Sequence, residues 1–320
     1  MNWSAPEPVV AEVVRSGFVE SQHRGTVVAL DVDGSVLFAV GDPSARIFPR
    51  SSNKPMQAVG MLRTGLQLEG ALLALAAASH SGEPFHLAGV RDILAGAGLD
   101  ESALQNPPDY PYDPQTQREW IASGHQAERI AMNCSGKHAA MVATCVIAGW
   151  DVSTYRSPDH PLQRGLRATL EDLAGERVGA TGVDGCGAPV FAVSLTGLAR
   201  AFGALVRAEP GTPERRVADA MRAHPEYVGG TGRDVTALMA GIPGLLAKDG
   251  AEAVHVAALA DGRVVALKIV DGSQRARPVV MAAALRRLGI EAPVLAAQAE
   301  EELLGGGLPV GCVRSVALPD

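Results

Sequence analysis

The chain has 320 residues, 47% of them hydrophobic and 20% charged, with a formal net charge of −7. That composition describes an ordinary soluble globular protein, one large domain or two intimate subdomains. The acidic balance excludes nucleic acid as a partner, because phosphate binding needs a basic surface. The most apolar long stretch, 187–206, is broken by Ser194, Thr196 and Arg200 and cannot span a bilayer.

In chain order, Met1 to Gly17 carries Glu7 and Glu12 and lacks a basic start before an apolar core, so a secretory signal is not expected. Val9–Val14 is a short apolar run. Gly25–Val32 reads as a strand, Asp33-Gly34 as a hairpin turn and Ser35–Val40 as the return strand. From about Lys54 to Gly175 the apolar period becomes helical. Helices are expected over 56–64, 71–78, 84–97, 115–123, 137–148 and 161–174. Later ones are expected over 195–206, 213–223, 234–240 and 278–288. A second hairpin follows, Ala253–Leu259 and Arg263–Val270 around Ala260-Asp261-Gly262, and Cys312–Leu318 reads as a closing strand. Hairpins at both chain ends with helices between predict an α+β fold. One antiparallel sheet is built from about 8–48 and 250–320, with a helical lobe over about 54–245, in a single domain over 1–320. Regular β-α-β alternation is missing, so a doubly wound parallel sheet does not fit.

Four cysteines, Cys134, Cys145, Cys186 and Cys312, suit a reducing compartment, and cytoplasm is the expected location. Cys145 reads as a core residue and Cys312, just before the strand-like Val313–Leu318, as structural. Cys134 and Cys186 lie instead in polar, glycine-bearing turns, Asn133-Cys134-Ser135-Gly136-Lys137-His138 and Asp184-Gly185-Cys186-Gly187. Two thiolates from separate turns suit Zn²⁺, with His138 or Asp184 as the usual third ligand. Two unpaired buried thiols at a helix start, or a low-pKa Cys134 nucleophile beside Lys137, account for the residues equally well.

Arg50-Ser51-Ser52-Asn53-Lys54-Pro55 places Ser51 and Lys54 one helical turn apart. A serine beside a neutral lysine makes a nucleophile without histidine. The bland reading is an N-capping serine and a surface lysine. Pro55 adds a difficulty, since a residue before proline is pushed away from helical angles. In Ser79-His80-Ser81-Gly82-Glu83, Ser81 is placed to cap the helix at Pro84 and His80 to be a satisfied loop histidine. Lys268 sits in the apolar run Val264–Val270, on a wet or a buried face. Thr231 or Asp234, after Gly229-Gly230, reads as a helix cap. Neither an S-D-N nor a K-T-G triplet accompanies the S-x-x-K.

Taken together, Arg50–Pro55, Ser79-His80-Ser81, Asn133–His138, Asp184-Gly185-Cys186 and Lys268 resemble, in the same order, the asparaginase II-like family, the rhizobial-type or class 3 L-asparaginases. Asp159-His160-Pro161 and His224-Pro225-Glu226 add to the likeness, which runs from about Val13 to Val270. The tail after Gly272 matches nothing, and Asp109–Pro114 is idiosyncratic. The resemblance implies a serine-β-lactamase-like fold and hydrolysis of L-asparagine to aspartate and ammonia. It implies two tandem pairs, Ser51 with Lys54 and Ser79 with Lys268, a zinc site of Cys134, Lys137 and Cys186, and a homodimer. Ser51 is expected to attack, with Ser79 bridging the lysines. Arg50, Ser135, His138 and Asp184 are expected to bind substrate, Arg50 at the α-carboxylate and Asp184 at the α-ammonium. The competing functions are hydrolysis of another, glutamine-like amide, a cysteine hydrolase using Cys134, and a non-catalytic zinc- or ligand-binding protein.

Overall fold

The computed structural model describes residues 7–316 and Leu318. Met1–Pro6 of the leading segment and Ala317 of the expected closing strand lie outside the described residues. The chain opens with β1 (Val9–Arg15), β2 (Phe18–Leu30), β3 (Val36–Val40) and β4 (Arg46–Ile47). A 3-10 turn over Arg50–Asn53 leads into α1 (Lys54–Arg63), α2 (Gly70–Ala76), α3 (Pro84–Gly96), α4 (Pro114–Ala122), α5 (Ser135–Ala148) and α6 (Pro161–Ala174). Short strands β5 (Thr181–Val183), β6 (Pro189–Phe191) and β7 (Val193–Ser194) precede α7 (Leu195–Arg207), α8 (Pro213–Ala223), α9 (Pro225–Val228) and α10 (Asp234–Gly241). Then come β8 (Leu246–Gly250), β9 (Val254–Ala258), β10 (Val264–Ile269), α11 (Ala276–Arg287), α12 (Pro293–Ala297), β11 (Glu300–Gly305) and β12 (Leu308–Ser315).

The main sheet is antiparallel in the order β11-β12-β1-β2-β10-β9-β8, with β3 also paired to β2. Both chain ends therefore meet in one sheet, and the helical lobe lies between them in sequence. β2 joins the two halves. Its first part pairs with β1, and from Gly25 onward it pairs with β10. A Cβ at Gly25 would stand 2.7 Å from the Lys268 carbonyl, so only glycine lets β10 come this close at the hand-over. Residues of β9 and β10 are buried throughout, so both faces of the sheet centre are covered. α7 and α11 both pack on β10.

The helices stop and start by familiar chemistry. α6 opens on Pro161, with the His160 side chain accepting from the Leu162 N–H, and ends on left-handed Gly175. α5 is buried from Ser135 to Cys145, as a helix inside a lobe must be. Gly136 sets its position, because a Cβ there would lie 2.6 Å from the Leu75 carbonyl. The close approach presses the Cys134–Lys137 turn against the end of α2, just before Ser79.

Several local expectations are corrected. Lys54 keeps helical angles (φ −61°, ψ −35°) although Pro55 follows it. Glu83, not Ser81, caps α3, in a capping box with His86, while Ser81 Oγ donates to the Gly229 carbonyl at 2.9 Å. Neither Thr231 nor Asp234 caps α10. Arg233 occupies that position, and Asp234 in the first turn takes a 2.8 Å ion pair from Arg277. β2 begins at Phe18, seven residues before the expected start, because its first half is polar and carries no alternation signal. β8, β11 and α12 were not expected at all.

Candidate active site

Three segments meet at a cleft of about 280 Å³: the Arg50–Asn53 turn, the chain leaving α2, and β8 with its turn into β9. Ser51 and Ser79 both line it, with Asn133, Tyr112, Arg233 and Glu252. Ser51 is half-exposed on a turn whose preceding residue, Arg50, has φ 52°. A non-glycine residue in that region costs about 1–2 kcal/mol, and such strain gathers where function over-determines the backbone.

Lys54 is 1% exposed. Its Nζ donates to Ser79 Oγ at 3.0 Å and to the Ala78 carbonyl. The hydroxyl of the second serine is thus bonded to the lysine of the first motif. Lys268 stands elsewhere. It is buried on β10 between Thr26 and Val254, and its Nζ donates to the Ile269 carbonyl. Burial lowers its pKa, against the opposing pull of Glu252 and Asp271. The expected Ser79–Lys268 pair is replaced by Ser79–Lys54, because β10 lies two strands in from the edge that faces the serines.

The lysine on that edge is Lys248, which the sequence reading missed. It is wholly buried on β8, and its Nζ donates to Asp249 Oδ1 at 2.7 Å. Burial pushes its pKa down to about 8, aided by the Lys54 charge and opposed by Asp249. Asp249 accepts from Arg233 Nη2 at 2.7 Å, and Arg277 stands 4.0 Å away. These partners hold the Asp249 carboxyl well below the ordinary carboxylate range despite its burial. The signal was present in the sequence. Lys248-Asp249-Gly250 has the spacing of a K-T-G triplet with aspartate at its centre.

Gly250 shows why the third position is fixed. A Cβ there would meet the Pro49 carbonyl at 2.6 Å and Ser52 Oγ at 3.0 Å. Ser52 Oγ in turn lies 3.4 Å from the Lys248 carbonyl. β8 is therefore laid directly on the turn that carries Ser51. Gly250→Ala is expected to lower stability by about 1–3 kcal/mol through overpacking. It should also lower kcat more than it changes KM, read by thermal melts and ammonia release.

The remaining expected residues divide. Arg50 Nε donates to Asp184 Oδ1 at 2.7 Å, so these two pair with each other beside Ser51. Ser135 and His138 are fully buried behind the cleft. Ser135 Oγ donates to the Ile130 carbonyl at 2.7 Å and lies 2.9 Å from His80 Nε2. The Gly82 N–H donates to His80 Nδ1 at 3.2 Å, which makes His80 a satisfied neutral imidazole; burial holds its pKa well below 6.5. His138 Nδ1 lies 2.6 Å from the Tyr155 hydroxyl.

Cys134 and Cys186 come together under α5, and Lys137 Nζ donates to Cys186 Sγ at 3.0 Å. A hydrogen bond from Cys134 and the Lys137 ammonium hold the Cys186 thiol far below its ordinary pKa. The same bond and burial push Cys134 up, so the readily ionised sulfur is not Cys134. Among the described residues no group of three or more His, Cys, Asp and Glu side chains is arranged for a metal ion. The third donor beside the two sulfurs is a lysine amine.

No curated protein matches the chain. Among solved structures, it is similar to a β-lactamase from Mycobacterium bovis, with TM-score 0.47 and 13% identity, covering 83% of this chain and 95% of that one. It is similar to a protein named Mglu in its native form, with TM-score 0.44 and 16% identity over 83% of this chain and 63% of the other. EstCE1, described as a hydrolase with promiscuous acyltransferase activity, matches at TM-score 0.42 and 14% identity over 78% and 91%. The family model described as L-asparaginase II matches residues 11–315, from the second residue after β1 begins to the end of β12. A match over nearly the whole described chain, with Ser51 and Ser79 on one cleft and Lys54 bonded to Ser79, places this protein in the L-asparaginase II family of amidohydrolases.

Proposed function

We propose that the cleft hydrolyses the side-chain amide of L-asparagine through an acyl-enzyme on Ser51. The observation that carries this reading is the buried Lys54 amine bonded to Ser79 Oγ next to a second, partly exposed serine. Ser51 Oγ forms a bond to the amide carbon. Its proton moves to Lys54 and on through Ser79 to the amide nitrogen. The carbon–nitrogen bond breaks and ammonia leaves. Water then adds to the ester carbon, its proton returns by the same route, and aspartate leaves as Ser51 regains its hydrogen. Lys248 replaces Lys268 as the second lysine of this reading. Burial and the neighbouring Lys54 charge push Lys248 down to about 8, and a neutral amine is what proton uptake requires.

The test is ammonia release from L-asparagine beside a panel of L-glutamine and simple amides. The expected result is the highest kcat/KM for L-asparagine. Hydrolysis of L-glutamine alone would move the assignment to the glutamine-like alternative.

The sulfur-and-amine cluster supports zinc. Its donors are buried and two of them are soft sulfurs, and Cys134, Cys186 and, as a neutral amine after loss of its proton, Lys137 would hold the ion. Bound zinc supplies a fixed positive charge that ties the 133–138 turn to the 184–187 turn. Cys186→Ser is expected to cut zinc content, measured by elemental mass spectrometry, from about one per chain to well below half, and to lower the melting temperature. Equal metal in both proteins would remove the site. The family resemblance supports a homodimer, and four free cysteines support a reducing, cytoplasmic location. No helix among the described residues is long and apolar enough to cross a membrane.

A further inference from the structure

The turn from β8 into β9 is built against backbone preference. Glu252 (φ 59°) and Ala253 (φ 51°) both take the left-handed region, where glycine or asparagine is usual. Ala253 is buried, whereas Glu252 is exposed and lines the serine cleft. Its carboxylate rests against the opposite wall, where a Cβ at Gly272 would lie 2.4 Å from Glu252 Oε2. The other charged groups of the cleft are already committed. Arg233 and Lys248 both bond Asp249, and Arg233 also lies over the Tyr112 ring at 4.8 Å. Among the described residues Glu252 makes no hydrogen bond or ion pair, although its charge is felt by the buried Lys268 amine, and it lines the same cleft as the Arg233 guanidinium, which still has donors to offer.

We propose that Glu252 receives the α-ammonium of the substrate, with Arg233 receiving its α-carboxylate, so that this turn selects amides of α-amino acids. The inference rests on the amidase reading of the cleft. Arg50 and Asp184, which the sequence suggested for these roles, bond one another beside Ser51. The strained turn is then the means of placing a carboxylate in the cleft that Ser51 and Ser79 line. A plain hairpin turn would carry a small residue there and leave the ammonium unpaired.

The experiment compares L-asparagine with succinamate, which has the same amide and carboxylate and no amino group. In the wild type the ratio of kcat/KM values favours asparagine. Glu252→Gln is expected to reduce that ratio about 10- to 100-fold, the range of a lost charge-assisted bond. A ratio unchanged in the variant overturns the proposal. Calorimetric binding of L-aspartate against succinate gives a readout independent of turnover. A preference for aspartate in the wild type that disappears in Glu252→Gln supports the clamp even if no amide is hydrolysed, in which case the amidase reading alone falls. No preference in the wild type overturns the clamp.

Discussion

Ser51→Ala is expected to lower kcat for L-asparagine by at least about 10⁴-fold, the scale seen when a nucleophile is removed from a covalent mechanism. The fold is expected to survive. Ser51 is half-exposed, so its truncation should change stability by less than about 0.5 kcal/mol. Ser79→Ala separates the two hydroxyls. It removes the 3.0 Å acceptor of Lys54 and leaves that buried amine with the Ala78 carbonyl. The variant should lose about 1–3 kcal/mol of stability as well as activity. Intact-mass measurement of quenched reactions is expected to show an aspartyl adduct on Ser51 in the wild type and none in Ser51→Ala. An adduct that persists in Ser51→Ala and vanishes in Ser79→Ala would exchange the two roles. Ammonia release equal to wild type in both variants would end the serine mechanism.

Lys248→Met carries the second large effect, on activity and on its pH dependence. With a pKa of about 8, Lys248 is mostly charged at pH 7 and mostly neutral at pH 9. If reaction needs the lysine pair to have given up a proton, wild-type kcat/KM rises with pH through about 8. Removing Lys248 removes the group that titrates near pH 8, so the rising limb is expected to vanish from the profile. The loss at pH 7.5 is expected to be about 10²–10⁴-fold. Lys268→Met should leave the limb in place, since that amine faces Glu252 and Asp271. A limb displaced by Lys268→Met and untouched by Lys248→Met would restore the pairing first read from the sequence.

The same lysine also bears on stability. Its folded pKa lies below 10.5, so between about pH 8 and 10.5 the unfolded chain holds a proton that the folded chain has released. This group's contribution therefore makes stability rise with pH across that window. In Lys248→Met the rise should disappear from pH-dependent denaturant melts. Asp249 keeps Arg233 in that variant, which should hold the cost below the several kcal/mol of an orphaned buried carboxylate.

Much of this protein follows from residue order alone. The two hairpins, most helices and the sheet made from both chain ends follow from apolar period, glycine turns and proline starts, which are local signals. S-x-x-K, S-H-S and C-S-G-K are legible as chemistry because each is a contiguous stretch. The tertiary structure decided how they combine. Lys54 could be placed near Ser51 from spacing, but its bond to Ser79 depends on α2 ending against Gly136 of α5. Both Lys248 and Lys268 sit in buried strands, and neither pattern says which strand forms the edge beside the serines; pairing order across the sheet does. Arg50 and Asp184 lie 134 residues apart and neutralise each other, a contact that composition could not foresee. The strain at Glu252 is likewise invisible in sequence, because a left-handed backbone at a non-glycine residue is imposed by the strands on either side of it.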